Sequence, residues 1–169
     1  GDIPHLAESQ AIEMPPLRGT PRLAGDWLIA LDEEGRLHRL DAQTLDDTAQ
    51  RSLPAGAYGY DTVLDELALA WSLGTLHGIP FKDFADGGWT LPLPGLRIVG
   101  RPLIRGDRVR VATSHGVVVT VDWRTGKELY RETLPQMLCG ELITVAGDDY
   151  ALAIDGAVYR LSSGVETSP

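Results

Sequence analysis

The chain has a single cysteine, Cys139, among 169 residues. One cysteine excludes an internal disulfide and a thiolate zinc cluster, and it favours a reducing compartment, the cytoplasm, over the periplasm or a secreted state. Long apolar runs are also missing. The most apolar window, Val63 to Ile79, is broken by Asp65, Glu66, Gly74, His77 and Gly78, far short of the roughly 18 uninterrupted apolar residues of a membrane helix. The N-terminus shows no basic flank, apolar core and small-residue cleavage pattern in that order, so no leader is expected. Lysine is nearly absent: Lys82 and Lys127 accompany 13 scattered arginines, and the net charge is −9. Without a basic stripe a nucleic-acid partner is not expected, and the acidic balance reads as a solvated surface. No calcium loop, phosphate-cradling glycine loop or nucleophile elbow occurs, so no cofactor is expected and nothing points to an enzyme.

What the chain does have is repetition. A turn dipeptide recurs at Gly25-Asp26, Gly106-Asp107 and Gly147-Asp148, with Asp65-Glu66 as its degenerate second member. A glycine separates two apolar runs at Gly35, Gly74, Gly116 and Gly156, where a tight strand-to-strand turn requires φ > 0. An apolar residue followed by proline recurs at Met14-Pro15, Leu53-Pro54, Leu93-Pro94 and Leu134-Pro135, and proline, lacking an N–H, stops a strand there. All three markers step by 39 to 42 residues, a period that signals a radial or stacked architecture.

Between the markers lie strand-length runs too short for helices: 27–31, 67–71, 109–113 and 150–154, each followed after its glycine by 36–40, 75–79, 117–121 and 157–161. An apolar strand precedes each hairpin, as at 142–145, and a more polar strand follows, as at 128–133. Four antiparallel strands per unit predict an all-β, four-bladed β-propeller in a single domain over 1–169. The blades are expected at about 17–54, 57–94, 98–135 and 138–169. The last repeat lacks an outer strand, and residues 4–15 end in the same apolar-proline marker. The N-terminal strand 4–15 is therefore expected to close the last blade of a monomer and to remove its exposed edge. The alternative is a swapped dimer, in which that strand completes a neighbour's blade and two chains build an eight-bladed ring. A third reading takes the chain as half of a longer eight-bladed propeller.

The third repeat reads Val121-Asp122-Trp123-Arg124-Thr125-Gly126-Lys127-Glu128-Leu129-Tyr130, with weaker versions at Leu40-Asp41-Ala42-Gln43-Thr44 and Leu161-Ser162-Ser163-Gly164. This pattern resembles the pyrroloquinoline-quinone-like β-propeller repeat, which grades into WD-like repeats. The resemblance implies blade architecture. The family's cofactor site uses adjacent cysteines, a tryptophan floor and a calcium cage, and with one cysteine here neither cofactor nor catalytic residues carry over.

Candidate functional residues are few. His38 and His77 occupy equivalent places, filled by Val119 and Tyr159 in the later repeats, which reads as inter-blade packing, and no metal site is expected. Carboxylate pairs at Asp32-Glu33-Glu34, Asp46-Asp47 and Asp148-Asp149 read as solvated turns. Arg105-Gly106-Asp107 falls on a turn marker. The stretch Gly56-Ala57-Tyr58-Gly59-Tyr60-Asp61 between the first two blades reads as an adaptable recognition loop, since glycines flank tyrosines expected to be exposed. By family analogy such loops share a face with the second-to-third-strand turns that hold Glu33, Glu34 and His115. The irregular segment from Phe81 to Trp89 packs at the rim or projects beside them. Tyr58, Tyr60, Glu33, Glu34 and His115 are thus the expected contacts to a protein partner, with no metal ligand and no catalytic group among them. The function expected is a non-enzymatic interaction scaffold, one module of a larger bacterial assembly. A small-molecule or glycan binder, or a hydrolase working through the central funnel, is the alternative.

Overall fold

The computed structural model describes residues 11–54 and 56–163, which form four antiparallel sheets in chain order. The first blade holds β1 (Arg22–Ala24), β2 (Trp27–Leu31), β3 (Arg36–Asp41) and β4 (Asp47–Ser52). The second holds β5 (Gly59–Val63), β6 (Leu67–Ser72), β7 (Thr75–Pro80) and β8 (Trp89–Pro92). The third holds β9 (Ile98–Arg105), β10 (Arg108–Thr113), β11 (Val117–Asp122) and β12 (Glu128–Thr133). The fourth has three described strands, β13 (Ile143–Val145), β14 (Asp148–Leu152) and β15 (Val158–Arg160). In every blade each strand pairs with the next, and the first strands of successive blades meet, β1 against β5 and β5 against β9. This is the radial plan of a propeller.

The repeat markers act as the turn chemistry requires. Gly35, Gly74, Gly116 and Gly156 all have φ between +73° and +88°, the left-handed region that costs a side chain strain. At Gly35 a Cβ would also lie 2.7 Å from the Gly56 backbone, so this glycine lets the hairpin turn touch the inter-blade linker. Asp41 and Asp122 anchor matching turns: Asp41 Oδ1 accepts from the Gln43 and Thr44 N–H groups, and Asp122 Oδ1 from those of Arg124 and Thr125. The Thr-Gly pattern thus serves the fold. In the fourth blade the first turn is Ala146-Gly147, since Val145 pairs with Asp148; the Gly-Asp marker there is displaced by one residue.

Each junction between blades is an apolar cluster. Ile29, Leu31 and Leu37 of blade 1 pack on Tyr60, Ala68 and Ile79 of blade 2. Leu67, Leu69 and Leu76 pack on Val109, Val111 and Val121 of blade 3. Ala112 and Val118 pack on Ala151, Ala153 and Leu161 of blade 4. The segment after β7 supplies Phe81 and Phe84, both buried in the first cluster, so these rings pack rather than project. Of the expected closing strand, residues 4–10 lie outside the described residues. Residues 11–15 form no strand, and Ile12 to Pro15 line a cavity with Arg36 and His38 of blade 1.

Candidate functional site

The loop between β4 and β5 sets the position of Tyr58. The Ala57 N–H donates to the Gly35 carbonyl at 3.0 Å and the Tyr58 N–H to the Trp71 carbonyl at 3.0 Å, so the linker is clamped between its own blade and the preceding turn. The Tyr58 hydroxyl donates to the Ile98 carbonyl at 3.2 Å and accepts from the Ile98 N–H at 2.9 Å, which ties blade 2 to blade 3. Burial pushes the Tyr58 phenol above its ordinary pKa, against opposing contributions from the Ile98 hydrogen bond and the Arg97 charge. The Arg97 guanidinium lies 5.6 Å from the Tyr58 ring centroid, within cation–π range.

Around this half-buried ring a depression of about 450 Å³ is lined by Tyr58, Trp71, Arg97, Ser114 and Cys139 together with the start of β9. It lies where inner strands begin and inter-blade linkers arrive, on the loop-bearing face. The Ser114 N–H donates to the Arg97 carbonyl at 2.8 Å, and Ser114 Oγ lies 3.2 Å from His115 Nδ1, so the exposed His115 stands at its edge. Glu33 and Glu34 are exposed in the turn that touches the Tyr58 linker, and Glu34 pairs with Arg36 at 2.8 Å. Aromatic faces, an exposed arginine and polar atoms at one concavity suit capture of a protruding side chain, aromatic or acidic.

Tyr60 is placed differently from its expected exposure. It is buried, and its hydroxyl donates to carbonyls of the preceding blade, with Thr20 O and Ile29 O both at 2.9 Å. Gly59 begins β5 because a Cβ there would come within 2.5 Å of the Trp71 indole, and that strand carries Tyr60 into the junction with blade 1. Burial pushes the Tyr60 phenol up to about 12. Because the folded-state pKa is raised, this stabilisation is complete below pH 10 and is lost as the pH climbs toward 12. The limiting loss is about 2–3 kcal/mol. Urea midpoints measured from pH 8 to 12 are expected to fall over that window, and less steeply in Tyr60→Phe.

The other polar candidates are internal. His38 is buried between two carboxylates, Asp32 Oδ2 at 3.1 Å and Asp47 Oδ2 at 2.8 Å. Burial alone would raise the Asp32 carboxyl. The Arg36 N–H, His38 and the Arg36 guanidinium outweigh it and hold Asp32 below the ordinary carboxylate range. His77 sits between Ser72 Oγ and Thr90 Oγ1 at 3.3 and 3.2 Å, and burial lowers its pKa. Both histidines thus serve polar networks within their own blades. Asp32 and Asp149 are correspondingly not solvated turn residues, being 0% and 5% exposed. Among the described residues no group of three or more His, Cys, Asp or Glu is placed to hold a metal ion. A second cavity of about 470 Å³ between blades 3 and 4 is lined by Arg105, Arg110, Asp148, Asp149 and Arg160. Asp149 accepts there from Arg105, Arg110 and Thr144, which is a satisfied ion-pair network rather than an acid–base pair.

Trp71, Arg97, Ser114 and Cys139 were missed as site residues by sequence reasoning. For Arg97 and Cys139 the signal was present, since 56–58, 95–97 and 136–139 are the same linker in successive repeats and land on one face; Trp71 and Ser114 lie outside these linkers, in β6 and in the turn after β10.

No family profile matches the chain, and no curated protein matches it in sequence. Solved structures do. BamB from Moraxella catarrhalis is similar over 83% of this chain and 42% of its own, at 21% identity and a TM-score of 0.64. The computationally designed protein Ika4 is similar over 90% of this chain and 94% of its own, at 12% identity and a TM-score of 0.68. BBS1N, solved in complex with ARL6DN, is similar over 78% of this chain and 45% of its own, at 15% identity and a TM-score of 0.59. The chain thus spans less than half the length of BamB and BBS1N. At these identities the likeness is one of fold, and the fold is that of a β-propeller.

Proposed function

We propose that this chain is a non-enzymatic interaction module that docks a protein partner on its loop-bearing face, within a larger bacterial assembly. The observation that carries the reading is the depression in which Tyr58 is fixed by two hydrogen bonds to Ile98 and flanked by Trp71 and the exposed Arg97. A rigid aromatic with an adjacent arginine is the composition of an interface hot spot, because little side-chain entropy remains to be lost on binding. Glu33, Glu34 and His115 form the polar rim of the same face, where charges tune approach and specificity more than affinity. A propeller seen in complex with a protein, as BBS1N is with ARL6DN, shows the fold to be compatible with this use. Function still rests on the site and not on the fold.

The test is capture of a partner from lysate by immobilised wild type, Tyr58→Phe and Arg97→Glu. Arg97 is exposed and its charge reversal gives up the cation–π contact to Tyr58 while leaving the Tyr58 hydrogen bonds to Ile98 in place, so Arg97→Glu is expected to weaken capture by roughly 30-fold, about 2 kcal/mol. Tyr58→Phe is expected to weaken it less. Equal capture by all three folded proteins would remove this face from consideration.

A further inference from the structure

Four blades share three junctions here, and each junction joins the forward face of one blade to the backward face of the next. The forward face can be followed residue by residue through the strand registers. Ala24 precedes the first turn of blade 1 as Val145 does in blade 4. The three positions of β2 and β3 filled by Ile29, Leu31 and Leu37 are filled in blade 4 by Tyr150, Leu152 and Val158. In blade 1 these residues are 0–2% exposed and belong to the cluster shared with blade 2. In blade 4 the same face is partly open, with Tyr150 and Leu152 half-buried. Val145 and Val158 are 54% and 57% exposed, and Ile143 is 40% exposed.

The opposite half of the same junction is open at the other end. Leu23 is 68% exposed, whereas its counterpart Ile104 packs into the cluster between blades 2 and 3. Residues 12–15 lie farther out on blade 1, beside Arg36 and His38, and leave Leu23 on β1 uncovered. Among the described residues no apolar cluster joins blade 4 to blade 1.

We infer that a second copy of this chain covers both ends: the forward face of blade 4, centred on Val145 and Val158, docks on the Leu23 face of blade 1 in the partner copy, and the reverse contact forms alongside. The occupant follows from continuity with the three junctions already built, since a backward face of this repeat is what each forward face packs on. Two head-to-tail contacts between two identical arcs close on themselves with two-fold symmetry. They bury the open apolar faces without leaving a further free end, and the product is an eight-bladed ring. This contact lies on the blade faces and leaves the Tyr58 depression free, so it stands or falls separately from the proposed function.

Light scattering coupled to size-exclusion chromatography at tens of micromolar is expected to give twice the 18.3 kDa chain mass. Val145→Glu and, independently, Leu23→Glu are each expected to give the single-chain mass with an unchanged circular dichroism spectrum. Arg97→Glu is expected to leave the two-chain mass intact. A second measurement holds if a glutamate variant fails to fold: with Cys139→Ser, cysteines placed at both position 23 and position 145 and joined by a short bis-maleimide are expected to yield a covalent two-chain species. A single-chain mass for the wild type, or cross-linking only within one chain as its own first blade closes the ring, would overturn the inference. So would a two-chain mass retained by both folded glutamate variants.

Discussion

Asp149→Ala is expected to lower unfolding free energy by about 3–5 kcal/mol, the usual result of removing one partner from a buried charge pair. Asp149 is 5% exposed and Arg110 is 9% exposed. The carboxylate takes the Arg110 guanidinium on Oδ2 at 2.9 Å, and Arg105 and Thr144 on Oδ1 at 2.9 and 2.8 Å. Truncation leaves the Arg110 charge at the junction of blades 3 and 4 with only the Ser162 carbonyl, at 2.7 Å. Restoring shape without charge does not restore it, so Asp149→Asn is expected to recover only part of the loss. Urea unfolding at neutral pH measures both. A loss below about 1 kcal/mol for Asp149→Ala would show that the pair is solvated in solution and contributes no more than a surface ion pair.

Gly78→Ala is expected to be nearly as costly, and for a reason that an alanine scan of apolar residues would overlook. Trp89 lies across two glycines, Gly78 of its own blade and Gly126 of blade 3, and a Cβ on either would overlap the indole. From that position the Trp89 Nε1–H donates to the Trp123 carbonyl at 2.8 Å and joins the second and third blades. A methyl group at residue 78 displaces the ring, opening an apolar junction and breaking the hydrogen bond. Loss of a large aromatic from its packing costs about 3–5 kcal/mol. The variant is expected to lose most of that and to show red-shifted tryptophan emission in the native state. Native-like emission with an unchanged urea midpoint would mean the indole has room that this packing denies it.

The blades were legible in the sequence because their turns are chemically demanding. Four glycines at one repeat position all adopt φ > 0, and the alternating runs between them can satisfy their backbone groups only as paired strands. Partners across junctions were also encoded, in the same period. Tyr58 reaches Ile98 and Tyr60 reaches Thr20 at a separation of 40, and Arg110 reaches Asp149 at 39. A polar residue one repeat away from a complementary one marks a blade-to-blade contact. Burial was less legible. The run Gly56-Ala57-Tyr58-Gly59-Tyr60 has the composition of an exposed loop, yet Gly59 is present to let Trp71 cover the strand, and Tyr60 turns inward. Asp32 looks like a turn carboxylate until Arg36 and His38 close on it. Such pairings depend on three-dimensional neighbours that composition does not report.

Cys139, exposed and lining the depression beside Tyr58, offers the most direct test of the claim that this face binds a protein partner. Wild type carrying a bulky maleimide adduct on Cys139 is compared with a Cys139→Ser, Asp107→Cys protein carrying the same adduct on the β9–β10 turn. The Cys139 adduct is expected to abolish partner capture from lysate, while the Asp107→Cys adduct leaves it unchanged. Equal capture by both adducts would contradict the claim.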